Sequence, residues 1–369
     1  METYQRAGEL LALAFEGLKP LYDSQQKLYT YQVRDGRRVS MPLAWSVVYT
    51  AINLIGLSAA RSHGHQEASP ALNEDLESVV AHSCDTRRFG DLGLILWADA
   101  ALGSPCVDGL LPLVQRGTSA DRMAVTPTSE LAWLLTGLAL ASRNSRSADP
   151  TGELAAAYYE ALAGNYDQNS QLFRHTRART RQTDLRARIG NFADQVYAIF
   201  ALTVYYELTD SLPALQSALE CARRICALQG QQGQWWWHYD THYGTVASRY
   251  PVFSVHQDGM APMALRRVMA VSAEDFTGPI ERGLDWLFTA NELHASMVCR
   301  ERKVIWRDIE RRPPVCYVRY LTLGLARLGL PRLAQAMDRP VLCSVNREMR
   351  PYELGWLVYA FADQGTPLG

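Results

Sequence analysis

One type of segment recurs along this chain and limits what it can fold into. About a dozen residues at a time are apolar on nearly every face of a helix, and each such run follows a polar or acidic start. A helix that is apolar all round is a buried helix. Amphipathic patterns with one polar face, such as 212–228 and 278–293, lie between these runs. The predicted buried helices are 45–60, 91–102, 130–141, 194–206, 258–268, 317–328 and 353–362.

The alternation of buried and amphipathic helices indicates a repeated helical hairpin. Glu130, Asp194 and Asp258 begin three of the buried helices, and 64 residues separate each from the next. Repeats of that length with two helices per unit form stacked or closed helical arrays. Because a closed ring buries its all-apolar helices centrally, we predict an all-α fold: a single α/α toroid of six to seven hairpins, forming one domain over residues 1–369. Four loops resemble one another, 22–33, 166–177, 237–248 and 297–309. In three of them an Asp, a short turn and an apolar or aromatic residue favour a two-stranded ribbon, and short extended loops are expected at one mouth.

Composition excludes several other classes of protein. The formal net charge is −1, whereas nucleic-acid-binding proteins normally carry a basic surplus. The chain has seven scattered cysteines without a CxxC pair, which favours reduced and mostly buried thiols in a cytoplasmic protein. No cysteine or histidine spacing suggests a metal, no cofactor is predicted, and no stretch approaches a membrane span. The oligomeric state is not predicted.

The inner helices of a toroid run in parallel, so their N-termini gather at one mouth. Asp91, Glu130, Asp194, Asp258 and Glu353 each lie near the start of such a helix and are expected to form a partial ring of carboxylates. The alternative is that each acid caps its own helix and interacts with the helix dipole.

A tryptophan-rich segment precedes one of these acids. In an extended loop, Trp235, Trp237 and Tyr239 would share one face and could stack on a sugar ring or stabilise a carbocation. Downstream, His256 and Asp258 form a candidate acid–base pair, and crowded carboxylates would keep one acid protonated. The alternatives are an aromatic plug that closes the toroid and a structural histidine.

Arginines in several presumptive mouth loops favour an anionic substrate. The loop 174–188 contains six arginines, and Arg249, Arg307 and Arg350 lie in other loops. Guanidinium groups pair well with carboxylates and phosphates. Tyr250 is a further candidate for binding or proton transfer. A solvated basic loop is the alternative interpretation.

Two resemblances refine these expectations. Gln229, Gly233 and Trp235 match the QW motif of terpenoid cyclase and protein prenyltransferase toroids, and the segment that follows resembles that of squalene-hopene cyclases. This likeness implies that Asp258 lies near the protonating aspartate, although the DxDD motif of that family is replaced by His256-Gln257-Asp258-Gly259. The mouth loops are similar to those of six-hairpin glycosidases, uronyl hydrolases and sugar epimerases.

Three functions remain open at this stage. The first is a carbohydrate-active enzyme, either an epimerase, a lyase or a glycoside hydrolase, that acts on a uronic acid or phosphorylated saccharide. The second is a terpenoid-cyclase-like or prenyltransferase-like enzyme that takes an isoprenoid. The third is a non-catalytic binding or scaffold toroid. In every case the expected partner is a small molecule or an oligosaccharide rather than a nucleic acid. Asp258, His256, Asp194 and Glu130 are the candidate catalytic residues. The candidate binding residues are Trp235, Trp237, Tyr239, Arg249, Tyr250, Arg307, Arg350 and Glu353.

Overall fold

A computed structural model describes residues 2–34, 37–39, 43–66, 71–83, 88–104, 107–144, 150–178, 186–312, 317–337 and 342–364. Helices dominate the described residues. In chain order they are α1 (Glu2–Leu18), α2 (Leu43–Ser62), α3 (Leu72–Ala81), α4 (Asp91–Leu102), α5 (Val107–Gln115), α6 (Ala120–Val125), α7 (Thr128–Asn144), α8 (Pro150–Ala163), α9 (Phe192–Thr209), α10 (Leu212–Ala227), α11 (Ala261–Met269), α12 (Thr277–Asp285), α13 (Val318–Arg327), α14 (Pro331–Met337) and α15 (Pro351–Phe361).

Six of these helices form a closed inner ring. Each packs against the next in the order α2, α4, α7, α9, α11 and α15, and α15 returns to α2. The outer layer consists of α1, α3, α5 with the short α6, α8, α10 and α12, which pack against the ring from outside. The prediction of an α/α toroid built from helical hairpins is therefore confirmed, with six hairpins in the described residues.

Neighbouring inner helices are parallel, and glycines let their backbones approach closely. A Cβ on Gly93 of α4 would lie 2.3 Å from the backbone nitrogen of Leu134 in α7, and one on Gly137 would lie 2.5 Å from the Gly93 carbonyl oxygen. At the closure of the ring, a Cβ on Gly56 of α2 would lie 2.2 Å from the carbonyl oxygen of Gly355 in α15. A side chain at these positions would separate the helices and open the ring.

Small antiparallel sheets cover the mouth at which the inner helices begin. Their strands are β1 (Tyr22–Asp23), β2 (Leu28–Tyr29), β3 (Gln32–Arg34), β4 (Arg37–Val39), β5 (Tyr166–Asp167), β6 (Leu172–Phe173), β7 (Ile189–Asn191), β8 (His238–Asp240), β9 (Thr245–Ser248), β10 (Val252–Phe253), β11 (Val298–Cys299), β12 (Val304–Ile305), β13 (Asp308–Arg311), β14 (Cys343–Asn346) and β15 (Glu348–Met349). They pair in six sheets: β1-β2, β15-β3-β4, β5-β6, β7-β8-β9, β10-β13-β14 and β11-β12.

The four loops with similar sequences do form ribbons, and their turns share one backbone feature. A residue with positive φ immediately precedes the second strand in each: Lys27 (54°), Gln171 (60°), Gly244 (62°) and Lys303 (56°). The repeat that the sequence indicates is therefore present in the turn geometry as well as in the helices. Each ribbon joins the end of an outer helix to the region where an inner helix starts.

The prediction that residues 317–328 form an inner helix is wrong. It forms α13 instead, which together with α14 is inserted between the paired strands β13 and β14 and packs against β9. Tyr317 is 65% exposed and Leu328 is 75% exposed. An apolar run alone does not show whether a helix is buried, and here the apolar residues lie on the protein surface.

Two further sequence-based expectations can be compared with the structure. Helix α2 has the length and hydropathy of a membrane span, contrary to our estimate from the sequence, but 78% of its apolar window is buried inside the toroid. Of the four described cysteines, Cys221 is buried, whereas Cys226, Cys299 and Cys343 are half-buried. The expectation of mostly buried cysteines is therefore wrong for this part of the chain. Cys84, Cys106 and Cys316 lie outside the described residues.

The QW-like segment has a structural role in this chain. The Gln229 side chain donates from Nε2 to the carbonyl oxygens of Gly233 (3.0 Å) and Pro279 (2.9 Å) and accepts from Arg282 (2.9 Å). Gly233 has φ of +91°, and a Cβ there would lie 1.9 Å from the Arg282 carbonyl oxygen. The motif thus fastens the loop after α10 to α12 in the outer layer.

Candidate active site

The acids at the starts of the inner helices do gather at one mouth, as the parallel packing requires. Asp91, Glu130, Asp194, Asp258 and Glu353 are all buried, with exposures from 0% to 8%. They differ in their hydrogen-bond partners, however. These partners show which acids cap a helix and which are available for chemistry.

Asp194 is a helix cap. It forms a capping box with Asn191 at the start of α9, and its Oδ1 accepts a hydrogen bond from the backbone N–H of Ser129 at 3.0 Å. Its Oδ2 accepts from the Asn191 backbone N–H at 2.9 Å and lies 2.9 Å from Nδ1 of His175. Both oxygens are therefore engaged, and the carboxylate fixes the orientation of His175.

Within the described residues, Glu130 has fewer hydrogen bonds than Asp194 and lies near an ion pair. Its Oε2 accepts from the backbone N–H of Gly90 at 3.1 Å, and Asp91 next to it forms an ion pair with Arg88 at 3.0 Å. Burial raises the pKa of Glu130 and that of Asp91, although the Arg88 guanidinium opposes both shifts. A protonated His175 would likewise oppose the rise in the pKa of Glu130. Glu130 is thus a carboxyl group that holds a proton more readily than an exposed glutamate does.

Asp258 and Glu353 form a buried pair of acids. Asp258 is 0% exposed, and neither of its carboxyl oxygens has a hydrogen-bond partner among the described residues. Burial raises the pKa of Asp258 well above its usual range, and burial together with the neighbouring Asp258 does the same for Glu353. Two carboxyl groups this close, in so little solvent, cannot both be charged at neutral pH.

A local distortion of the helix accompanies this pair. Residues His256–Met260 form a π-helical turn that leads directly into α11, so Asp258 lies at its centre. π-turns are uncommon and frequently occur at functional sites. A Cβ on Gly259 would lie 2.8 Å from Cβ of Trp356, so the π-turn packs tightly against α15. The tight packing brings Asp258 and Glu353 together.

Next to the acid pair, arginines surround a second carboxylate. Glu348 accepts from Arg307 at 2.9 Å and from Arg350 at 2.5 Å, and it pairs with Arg34 at 3.3 Å. Burial would raise the pKa of Glu348, but the arginines outweigh it and lower the pKa below the usual value. Arg307 and Arg350 of this cluster also act on Glu353, where their charges oppose the rise in its pKa.

Asp308 lies beside this cluster, and its pKa is shifted in the opposite direction from that of Glu348. Its Oδ2 lies 3.4 Å from Nε of Arg307 and accepts from Asn346 at 3.4 Å, while Oδ1 is buried without a hydrogen-bond partner in the described residues. Burial raises the pKa of Asp308 to about 7, although Arg307 opposes the shift. Asp308 would therefore exchange a proton near neutral pH.

Arginine side chains at the mouth stack on aromatic rings. Guanidinium carbons lie over ring centroids in four pairs within this region: Arg88 over Trp45 (5.3 Å) and Trp133 (5.3 Å), Arg307 over Phe253 (5.3 Å), and Arg350 over Tyr31 (4.8 Å). Stacking holds each cation in place while leaving N–H groups for a ligand. The mouth thus combines fixed positive charge with aromatic surface.

The predicted aromatic face of Trp235, Trp237 and Tyr239 does not form, which is a correction. Trp235 and Tyr239 are 0% exposed, and both pack near Phe192 in the core. Trp237 is half-buried and meets the ring of Phe253 edge-on at 5.0 Å. Only Trp237 of the three therefore belongs to the mouth, because the hydrophobic interior takes the other two rings.

The side chains of His256, Arg249 and Tyr250 have surroundings different from those of the acid pair. His256 packs between Phe192 and Phe253, and burial lowers its pKa to about 3, so the imidazole is neutral. Arg249 and Tyr250 line a separate cavity at the side of the mouth. By contrast, Arg307 and Arg350 lie near enough to Glu353 for their charges to act on its pKa. The role of these three residues in substrate binding stays a prediction.

Sequence reasoning missed three residues of this site: Arg88, His175 and Glu348. Arg88 and His175 stand three and nineteen positions before acids that were singled out, and these offsets carry no signal of contact. Asp308 directly follows the predicted Arg307, in a segment whose sequence did not distinguish a binding loop from the packing of a helix end. Within the described ranges, no cluster of histidine, cysteine and acidic side chains could hold a metal ion.

Comparison with known proteins supports the fold and leaves the family open. No protein-family model matches the chain, and no curated protein matches it. An unsaturated glucuronyl hydrolase described as specific for heparin has a TM-score of 0.63 at 11% identity, covering 97% of this chain and 95% of the other. The unsaturated glucuronyl hydrolase of Streptococcus agalactiae gives 0.59 at 10% identity, over 98% and 90% of the two chains. That of Bacillus sp. GL1, described as responsible for glycosaminoglycan degradation, gives 0.59 at 14% identity, over 97% and 95%. These structures confirm the α/α toroid; the terpenoid cyclase resemblance is not supported by them.

Proposed function

We propose that this protein is a carbohydrate-active enzyme of the glycoside hydrolase type that acts on an anionic, uronic-acid-containing saccharide at the mouth of the toroid. The observation that carries the proposal is that two buried acids, Asp258 and Glu353, which cannot both be charged, lie in one site with the arginines Arg307 and Arg350. Three solved toroids of the same architecture are described as unsaturated glucuronyl hydrolases, which favours hydrolysis over the lyase and epimerase alternatives.

The arginines account for selectivity towards an anion. Arg307 and Arg350 both bind Glu348, yet each retains further N–H groups, and their side chains are 22% and 17% exposed. A planar substrate carboxylate can accept two parallel hydrogen bonds from such a guanidinium. The half-buried Trp237 ring offers an apolar surface for the C–H face of the sugar.

The acid pair accounts for the chemistry. A carboxyl group that remains protonated at neutral pH can donate its proton to the substrate, and its deprotonated neighbour can then accept a proton from attacking water. In this proposal Asp258 and Glu353 share these two roles. Glu130 is a further candidate acid, and Asp194 acts through His175 as a positioning residue.

Ultraviolet absorbance of an unsaturated glucuronyl disaccharide tests the proposal, since hydrolysis removes the conjugated double bond. A loss of absorbance that Asp258→Asn abolishes supports a hydrolase. With a saturated uronic acid oligosaccharide, a gain of absorbance would instead identify a lyase. Incorporation of solvent deuterium without a change in absorbance would identify an epimerase. Absence of all three signals would refute the proposed function.

A further inference from the structure

A second cavity lies at the side of the mouth and is not part of the acid cluster. Its volume is about 600 Å³, within the range of small-molecule sites. The glutamine-rich loop after α10 forms one wall, and β9 with the segment after it forms the other. Side chains that the argument uses are Gln234, Trp236, Thr245, Arg249, Tyr250 and Glu292.

Two adjacent tryptophans separate this lateral cavity from the mouth. Trp237 faces the mouth, where it packs against Phe253 beneath Arg307. Trp236 contacts the opposite side, where the Arg249 guanidinium lies 5.3 Å from its ring centroid. The chain between β8 and the glutamine-rich loop therefore forms a partition, and a ligand in the lateral cavity would not occupy the space beside Asp258.

One wall of the lateral cavity presents an oriented acceptor. Oε2 of Glu292 accepts hydrogen bonds from Nε1 of Trp286 at 2.8 Å and from Nε2 of Gln234 at 3.3 Å. Gln234 is itself held by Gln232, whose side-chain oxygen accepts from Gln234 at 3.0 Å. The other oxygen, Oε1, is buried and makes no hydrogen bond of good geometry in the described residues, although the Tyr250 hydroxyl lies close to this carboxylate. Oγ1 of Thr245 is likewise buried without a hydrogen-bond partner there. Buried polar atoms are nearly always satisfied, so these two call for a donor from a ligand or water.

The opposite wall supplies rings and a neutral hydroxyl. Trp236 and Tyr250 meet edge-on with centroids 6.3 Å apart, and Arg311 covers the Tyr250 ring at 4.7 Å. Burial, followed by the nearby Glu292 carboxylate, raises the pKa of the Tyr250 hydroxyl, which therefore remains protonated and able to donate. Arg249 and Glu292 carry charges of opposite sign, so the lining of the cavity does not favour a charged ligand.

We propose that the lateral cavity binds a neutral, hydroxyl-rich saccharide unit. Aromatic edges, side-chain amides and a fixed carboxylate oxygen together suit a ring that carries several hydroxyl groups. Glu292 accepts from a sugar hydroxyl through Oε1, and Tyr250 lines the same space. This binding site is independent of catalysis at the mouth, and its occupant carries no charge, in contrast to the uronic acid proposed there.

Isothermal titration of the full chain with three neutral trisaccharides, maltotriose, cellotriose and mannotriose, tests this site. We expect saturable binding of at least one, and we expect Glu292→Gln and Tyr250→Phe each to weaken it at least tenfold. Both replacements keep side-chain volume, and circular dichroism checks their folding. The matched controls Glu310→Gln and Tyr243→Phe, on neighbouring strands and turns outside the cavity, should leave the affinity within twofold.

Either of two results would overturn the proposal: no binding of any of the three trisaccharides, or binding that persists unchanged in both cavity variants. Neither result bears on the mouth, since the absorbance assay with the unsaturated disaccharide reads the acid pair separately. Conversely, an inactive mouth would leave trisaccharide binding intact if the lateral site is real.

Discussion

The protonation of Asp308 gives a quantitative prediction for Asp308→Asn. In the folded chain the pKa of this carboxyl is raised to about 7 by burial, whereas in the unfolded chain it would be about 3.9. Between these two values the folded state holds a proton that the unfolded state releases. This difference weakens the folded state as the pH rises through that window.

The size of the effect follows from the separation of the two pKa values. A separation of about 3 units corresponds to about 4 kcal/mol, at about 1.4 kcal/mol per unit. This contribution to the free energy of unfolding is fully present below about pH 4 and is lost by about pH 7. An asparagine resembles the protonated carboxyl group and does not titrate. We therefore expect Asp308→Asn to match the parent near pH 4 and to exceed its stability by up to about 4 kcal/mol at pH 8.

Urea denaturation at whole pH units from 4 to 8 measures the difference directly. Other buried acids, including Asp258 and Glu353, make the parent curve fall with pH as well, but their contributions largely cancel when the two proteins are subtracted. Glu301→Gln serves as the control, because it removes an exposed carboxylate that is not among the charges acting on Asp308. Its effect should stay below about 1 kcal/mol at every pH.

A difference curve that is flat with pH would refute the argument. It would mean that Asp308 is charged in the folded protein at pH 5, so that Arg307 at 3.4 Å outweighs burial. A variant less stable than the parent at pH 8 would lead to the same conclusion.

Four further substitutions test the site. Asp258→Asn should abolish turnover while leaving the melting temperature nearly unchanged, because the amide replaces a protonated acid; a stable, active variant would contradict its catalytic role. Asp194→Asn should lower the free energy of unfolding by about 1–3 kcal/mol in urea titrations, since it removes acceptors for Asn191 and His175; an unaltered value would refute the capping role. Glu348→Gln should cost about 3 kcal/mol by the same assay, because Arg307 and Arg350 lose their shared counter-charge; no loss would show that solvent screens the arginines. Trp237→Ala should raise KM with little change in melting temperature, and equal losses of both would favour an aromatic plug.

Helical periodicity predicted most of the fold. The starts at Asp91, Glu130, Asp194 and Glu353 all lie within the first turns of inner helices, because acids favour helix N-termini and apolar runs favour the interior. The similar turns of the ribbons were also visible in the sequence. The run 317–328 was misassigned because its composition resembles a core helix while its surroundings in the chain place it on the surface.

The chemistry of the site was less accessible from sequence. The sequence ranked Asp194 and Asp258 together. In the part of the chain that the structure describes, both carboxyl oxygens of Asp194 accept hydrogen bonds and those of Asp258 accept none. This difference depends on residues distant along the chain. The partners of Glu348 come from β3, from the segment before β13 and from the start of α15. The π-turn at His256–Met260 likewise depends on how α15 packs against it, which no local pattern encodes.

The closure of the ring between α2 and α15 has a consequence for the order of folding. Inner helices α2, α4, α7, α9 and α11 can associate in sequence order as the chain leaves the ribosome, but α2 keeps an open flank until α15 emerges. Asp258 meets Glu353 only at that last step, because Glu353 lies on α15. The acid pair is therefore completed together with the barrel, and a nascent chain that lacks its final helix would carry every other part of the mouth without the pair.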